Sequence, residues 1–116
     1  QRAIIAYACV NERDIQVENY KIAVNTFGTT ILRSGLSAAM CLVERKHEQN
    51  PMYKKLLEHL AKPEFQIHAL QQQNWNQQPN IIRKMELSTY MLTTRQVLRA
   101  VFWLKRAIQS LRAENK

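Results

Sequence analysis

The chain has 116 residues, 46% of them hydrophobic, with only two glycines and three prolines. That is enough apolar residue for one core and too much for a disordered tail, and turn-formers are too few for a β-sandwich, which needs a turn every ~8–12 residues. Seventeen Lys and Arg against nine Asp and Glu give a net charge of +8 and a pI near 9.9, the usual footprint of a nucleic-acid binder, although an acidic protein or an anionic membrane would answer the same charge.

The expected class is all-α: a compact bundle of five to six helices with a long C-terminal helix, in one domain spanning residues 1–116. The N-terminal QRAIIAYACV is too short and poorly organised for a signal peptide, and no apolar run approaches ~20 residues, so no membrane partner is expected. The chain begins at Gln1 rather than Met, so a few residues are expected to precede it.

Residues 2–13, with Ile4, Ile5, Tyr7, Ala8 and Val10 among polar positions, predict a first helix. A second runs from about Val17 to Arg33, its face formed by Tyr20, Val24, Phe27, Ile31 and Leu32. Gly28 inside it costs helix stability and is tolerable if another helix crosses closely there. Ser34-Gly35 is the stop, with Gly35 in a left-handed conformation. A third helix from Leu36 to about Glu48 turns Leu36, Ala39, Met40 and Val43 inward. Asn50-Pro51 ends it, and the proline opens a fourth helix through Leu56, Leu57 and Leu60. Lys62-Pro63 breaks the chain again before Phe65, Ile67 and Leu70.

QQQNWNQQPN, residues 71–80, has no apolar period and reads as a polar, mobile loop. From about Ile81 to Ala113 the pattern predicts one long helix or two collinear ones, with Thr93–Gln96 as a capping box marking a break. Cys9 and Cys41 lie in apolar helical stretches and read as buried free thiols. Two cysteines without a secretory signal fit a reducing cytoplasm.

Motifs for chemistry are missing. There is no glycine-rich phosphate loop, Cys-x-x-Cys pair or His-Glu-x-x-His, so no cofactor or metal is implied. His47, His59 and His68 are scattered, and Asp14 is the only aspartate, against a clustered-carboxylate nuclease site.

The last helix is more informative. With Val101 as zero and about 100° per residue, Thr94, Val97, Leu104, Ile108 and Leu111 fall within about 80° of it on one side. Arg95, Arg99 and Arg106 fall at roughly 120°, 160° and 140°. Three arginines in one stripe suit a polyphosphate backbone, because guanidinium binds phosphate bidentately and stays charged. An ordinary solvated face is the competing reading. Lys105 and Arg112 land near the apolar side, where they must snorkel or meet a partner. Trp103, at about 200°, is expected to pack under a second helix, whereas Trp75 in the polar loop is as suited to contact as to burial.

Two segments carry a resemblance. YKIAVNTFGTTILRSGLSAAMCLVERK, residues 20–46, and YMLTTRQVLRAVFWLKRAIQSL, residues 90–111, are similar to the helix–turn–helix and the C-terminal Trp-Leu-Lys-Arg helix of the small subunit of type III-B CRISPR effector complexes, the Cmr module. MYKKLLEHL between them resembles a less constrained helix of that family. The resemblance implies a helical protein that joins copies of itself along a ribonucleoprotein filament. There it lies beside paired guide and target RNA while other, larger subunits cleave. It places Gly35-Leu36 at the turn, Lys46 at the basic end of the third helix, and Trp103, Lys105 and Arg106 in the signature.

The expected function is therefore that of a non-catalytic, cytoplasmic RNA-binding subunit in antiviral defence, contacting the RNA backbone through Arg95, Arg99, Arg106 and Lys46. Lys21, Arg33 and Arg45 are the next candidates. The alternative is a basic helical adaptor for an acidic protein partner, and a third class, a small ribonuclease, needs an acid–base group near the stripe.

Overall fold

A computed structural model describes the backbone of residues 2–114 and the side chains as far as Leu111. Among these residues there are six α-helices and no strand: α1 (Arg2–Val10), α2 (Val17–Ser34), α3 (Leu36–Lys46), α4 (Met52–Leu60), α5 (Gln78–Arg83) and α6 (Leu87–Glu114). Two single 3₁₀ turns, Pro63–Phe65 and His68–Leu70, lie between α4 and α5.

One residue joins α2 to α3. Gly35 has φ 94° and ψ 169°; its N–H donates to the Ile31 carbonyl at 2.9 Å, and its carbonyl accepts from Ala39 N–H at 3.2 Å. The same residue thus closes one helix and opens the next, in a region of φ that favours glycine. A Cβ there would also stand 2.9 Å from the Tyr90 hydroxyl, whose oxygen accepts the Ser37 N–H at 3.0 Å. Gly28 is the expected close crossing: a Cβ there would lie 3.1 Å from Val101 Cγ1 and 3.4 Å from Lys105 Nζ, both on α6. Since Gly28 meets Val101 and Gly35 meets Tyr90, α2 and α6 run in opposite directions. Lys105 is half-buried and lays its stem over Gly28.

The remaining helices close the core around this pair. α1 packs on α6, α3 and α4 on α2, and α5 on α3. Tyr20, Phe27, Leu36, Met40, Leu56, Leu57, Leu60, Ile67, Leu70, Ile82 and Leu104 are fully enclosed.

Several boundaries differ from the sequence reading, each because a tertiary contact outweighs local pattern. α1 stops at Val10 rather than near residue 13, and the turn that follows lets Glu12 reach His59 and Asp14 reach Lys55. α3 ends at Lys46 rather than Glu48. Residues 71–80 are not wholly a loop. α5 begins at Gln78, which is completely buried and donates its side-chain amide to the Leu57 carbonyl at 2.8 Å and the Gln73 carbonyl at 3.3 Å.

The C-terminal segment breaks at residues 84–86, not at Thr93, because α5 packs on α3 while α6 packs on α1 and α2. Thr93 is buried within α6, and the neighbouring Thr94 hydroxyl donates back to the Tyr90 carbonyl at 2.8 Å. Cys9 is buried as expected, but Cys41 is exposed and accepts from the Arg83 guanidinium at 3.5 Å. The Arg112 side chain lies outside the described residues.

Candidate nucleic-acid interface

Helix α6 turns Thr93, Val97, Ala100, Val101, Leu104, Ala107 and Ile108 into the core. Arg95, Arg99 and Arg106 are exposed on the opposite side, as the helical period requires. At 1.5 Å per residue the first two stand about 6 Å apart along the axis and the last two about 10.5 Å.

Phe102 falls within that longer gap, 50% exposed. Its ring lies 5.6 Å from the Arg106 guanidinium carbon and edge-on to Trp103 with centroids 5.6 Å apart. Phe102 was not among the residues expected at this surface. Its helical angle, about 100° from Val101, was the signal that it borders the arginine row.

Several acidic residues pair away from this row. Lys55 takes Asp14 and, at 3.7 Å, Glu58; Arg83 takes Glu44; His59 takes Glu12. None of Arg95, Arg99 and Arg106 is ion-paired among the described residues, so each keeps its donors for an external anion. The Lys55 contact holds the Asp14 carboxyl below its usual range, and the Glu44 contact raises Arg83.

The other basic candidates divide. Arg33 is exposed in the last turn of α2 beside Gly35, the end of the molecule where α6 begins. Lys21 is half-buried on α2, two turns before Gly28 and on the same helical face. Arg45 and Lys46 are exposed in the last turn of α3, at its far end from Gly35. The structure thus brings Arg33 to the same end as Arg95 and leaves Arg45 and Lys46 apart.

Trp103 is half-buried rather than covered. It lines a groove of about 420 Å³ between α1 and α6 with Ile4, Tyr7 and Arg106. Trp75 is also half-buried, with its indole against His47, ring centroids 5.0 Å apart, and the Lys54 ammonium 5.1 Å from its centroid.

The histidines do not converge. His68 is exposed, and His59 is buried in a chain running Glu12–His59–Tyr20. The Tyr20 hydroxyl donates to His59 Nδ1 at 2.6 Å, and Nε2–H donates to Glu12 Oε1 at 2.9 Å, the tautomer that satisfies both contacts. Burial lowers the His59 pKa, with Glu12 partly opposing. Burial likewise raises Tyr20 and pushes the Cys9 thiol up to about 12. Glu12, His59 and Tyr20 thus form a hydrogen-bonded chain that runs into the core. Among the described residues no three His, Cys, Asp or Glu side chains come together to hold a metal ion, and no helix is long and apolar enough to cross a membrane.

No curated protein and no solved structure matches the chain. A family model does: that of CRISPR-associated protein (Cas_Cmr5) matches residues 1–111, nearly the full length. The helix–Gly35–helix unit and the α6 signature lie inside that match, in an all-helical fold, and the chain belongs to the CRISPR-associated Cmr5 family, the small subunit of type III-B Cmr complexes.

Proposed function

We propose that the protein is a non-catalytic RNA-binding subunit that lines the paired guide and target RNA of its Cmr complex, in the cytoplasm, as part of antiviral defence. The observation that carries this reading is the row of exposed arginines on α6, Arg95, Arg99 and Arg106, with no ion pair among the described residues, in a chain of net charge +8. Backbone contacts of this kind position RNA without reading its sequence, as a subunit that serves any guide must. A few phosphate contacts bind weakly alone and gain by avidity when neighbouring copies engage the same strand.

A second surface supports association with other subunits and with copies of itself in a filament. Leu32 and Leu87 are each 74% exposed, and Met91 is 52% exposed. All three lie near the Gly35–Tyr90 contact, an apolar end that adjoins the arginine row at Arg95, which lines a shared hollow with Tyr90 and Met91.

The test is a salt series on the assembled complex, comparing wild type with the variant Arg95→Ala, Arg99→Ala, Arg106→Ala on two unrelated guide–target pairs. Weaker assembly is expected on both pairs, with the log–log salt slope flattened by about 0.7–0.9 per lost phosphate contact. Unchanged slopes would move the RNA surface to Lys21, Arg33, Arg45 or Lys46. A loss that tracks an acidic protein partner instead of RNA would establish the adaptor. Cleavage of RNA by the isolated protein, abolished by a single substitution, would overturn the non-catalytic reading.

A further inference from the structure

Neither the arginine row nor the apolar end uses the segment QQQNWNQQPN, residues 71–80, and its backbone is held rather than slack. Gln72 adopts a left-handed φ of 61°, which residues other than glycine keep only where their surroundings enforce it. Its N–H donates to the Ala61 carbonyl at 3.0 Å. Gln73 N–H donates to the Leu70 carbonyl at 3.1 Å and Gln77 N–H to the Asn74 carbonyl at 3.0 Å. The buried Gln78 amide then bridges Leu57 and Gln73, so the turn is anchored to both ends of its own loop and to α4.

The anchored turn forms one wall of a cleft of about 560 Å³, within the ~300–1,000 Å³ span of small-ligand sites. That wall is Gln72 to Asn76, four carboxamides around Trp75; Lys62 and Glu58 stand on the other side. The indole is already oriented by Lys54 and His47, so little ordering remains for a ligand to impose. Lys55 lies 3.7 Å from the Glu58 carboxylate and partly neutralises it, which leaves Lys62 as the cation on the rim.

Each group specifies part of a ligand. A carboxamide presents a donor and an acceptor side by side, which matches the edge of a nucleobase and, bidentately, adenine above the others. An indole gives any base an aromatic contact that tolerates sequence. An ammonium at the rim suits a phosphate. The wall is too polar for an apolar guest, and its single carboxylate does not make a metal site. We propose that this cleft binds one unpaired RNA nucleotide, adenylate by preference, with the base against Trp75 and the Asn74 and Asn76 carboxamides and its phosphate toward Lys62. No residue of α6 lines the cleft, so the proposal stands apart from the arginine row.

The experiment uses the full chain carrying Trp103→Phe, which leaves Trp75 as the sole tryptophan. Hexamers of adenylate, cytidylate and uridylate are titrated while its fluorescence is read, with a neutral oligosaccharide as a further ligand. Saturable quenching is expected, tightest for adenylate. Asn74→Ala with Asn76→Ala should weaken it about tenfold, the scale of one lost bidentate pair. The triple arginine variant should keep the adenylate preference. Calorimetric titration of the wild type and the exposed amide variant gives the same comparison if Trp103→Phe disturbs the fold. No saturable binding of any oligonucleotide, equal binding by the amide variant, or a matching response to the oligosaccharide would each overturn the proposal.

Discussion

Replacing Tyr20 with Phe removes one oxygen and strands the buried Nδ1 of His59, which accepts only that hydroxyl. Leaving a buried acceptor unpaired costs ~1–3 kcal/mol, and urea unfolding of Tyr20→Phe is expected to show a loss in that range. The same histidine gives stability a pH dependence of known sign. Burial holds its folded pKa below the ordinary 6.5. Between those two values the unfolded chain binds a proton that the folded chain refuses, so this contribution is complete above pH 6.5 and is lost as pH falls through the folded value. Unfolding curves at about pH 7.5 and 5.5 should show a larger drop for wild type than for His59→Gln; equal drops would mean that His59 titrates alike in both states. In the sequence His59 is an isolated histidine beside a glutamate, and nothing local announces that Tyr20 and Glu12 will close around it.

At the scale of helices, the crossing of α2 and α6 sets two opposing effects at Gly28. Alanine improves helix propensity by ~1 kcal/mol, but its methyl would lie 3.1 Å from Val101 Cγ1, and Val101 is buried and stiff at χ1. Overpacking costs ~1–3 kcal/mol, so Gly28→Ala is expected to lower stability by about 1 kcal/mol; a stabilised variant would show that α6 yields there. Trp103→Ala should cost about 2 kcal/mol, below the ~3–5 typical of a fully buried large aromatic, because the indole is half-exposed in the α1–α6 groove. Its melting temperature should fall; an unchanged one combined with weaker RNA binding would make the residue a stacking contact. The helices themselves were legible because Tyr20, Val24, Phe27 and Ile31, or Val97, Val101, Leu104 and Ile108, repeat with the α period. The arginine row followed from the same arithmetic. The break at residues 84–86 was not legible, since Lys84, Met85 and Glu86 are all helix formers and only the different packing partners of α5 and α6 part them there. Gln78 was hidden for a related reason: an amide in a polar run gives no sign that it will be buried among carbonyls that need its N–H groups.

For the whole molecule, the charge of +8 acts on folding and on RNA binding with opposite sign. Self-repulsion among like charges disfavours the compact state, and salt screens it, so the melting temperature of the free protein should rise between about 20 and 200 mM salt while its affinity for RNA falls. A melting temperature that falls over that range would assign more weight to the Lys55 and Arg83 ion pairs than to net repulsion. The packing of α1 on α6 has a further, kinetic consequence. It unites the two ends of the chain, so its loop-closure entropy is the largest in the fold, whereas α2 and α3 meet across one residue. The helical pair at Gly35 is thus expected to form in the folding transition state and the α1–α6 seam after it. Substitutions in the seam, Ala6→Gly or Ala107→Gly, should accelerate unfolding with little effect on folding rate, and Ala39→Gly should slow folding. Stopped-flow chevron analysis reads the difference directly, and a slowed folding arm for Ala6→Gly would reverse the order.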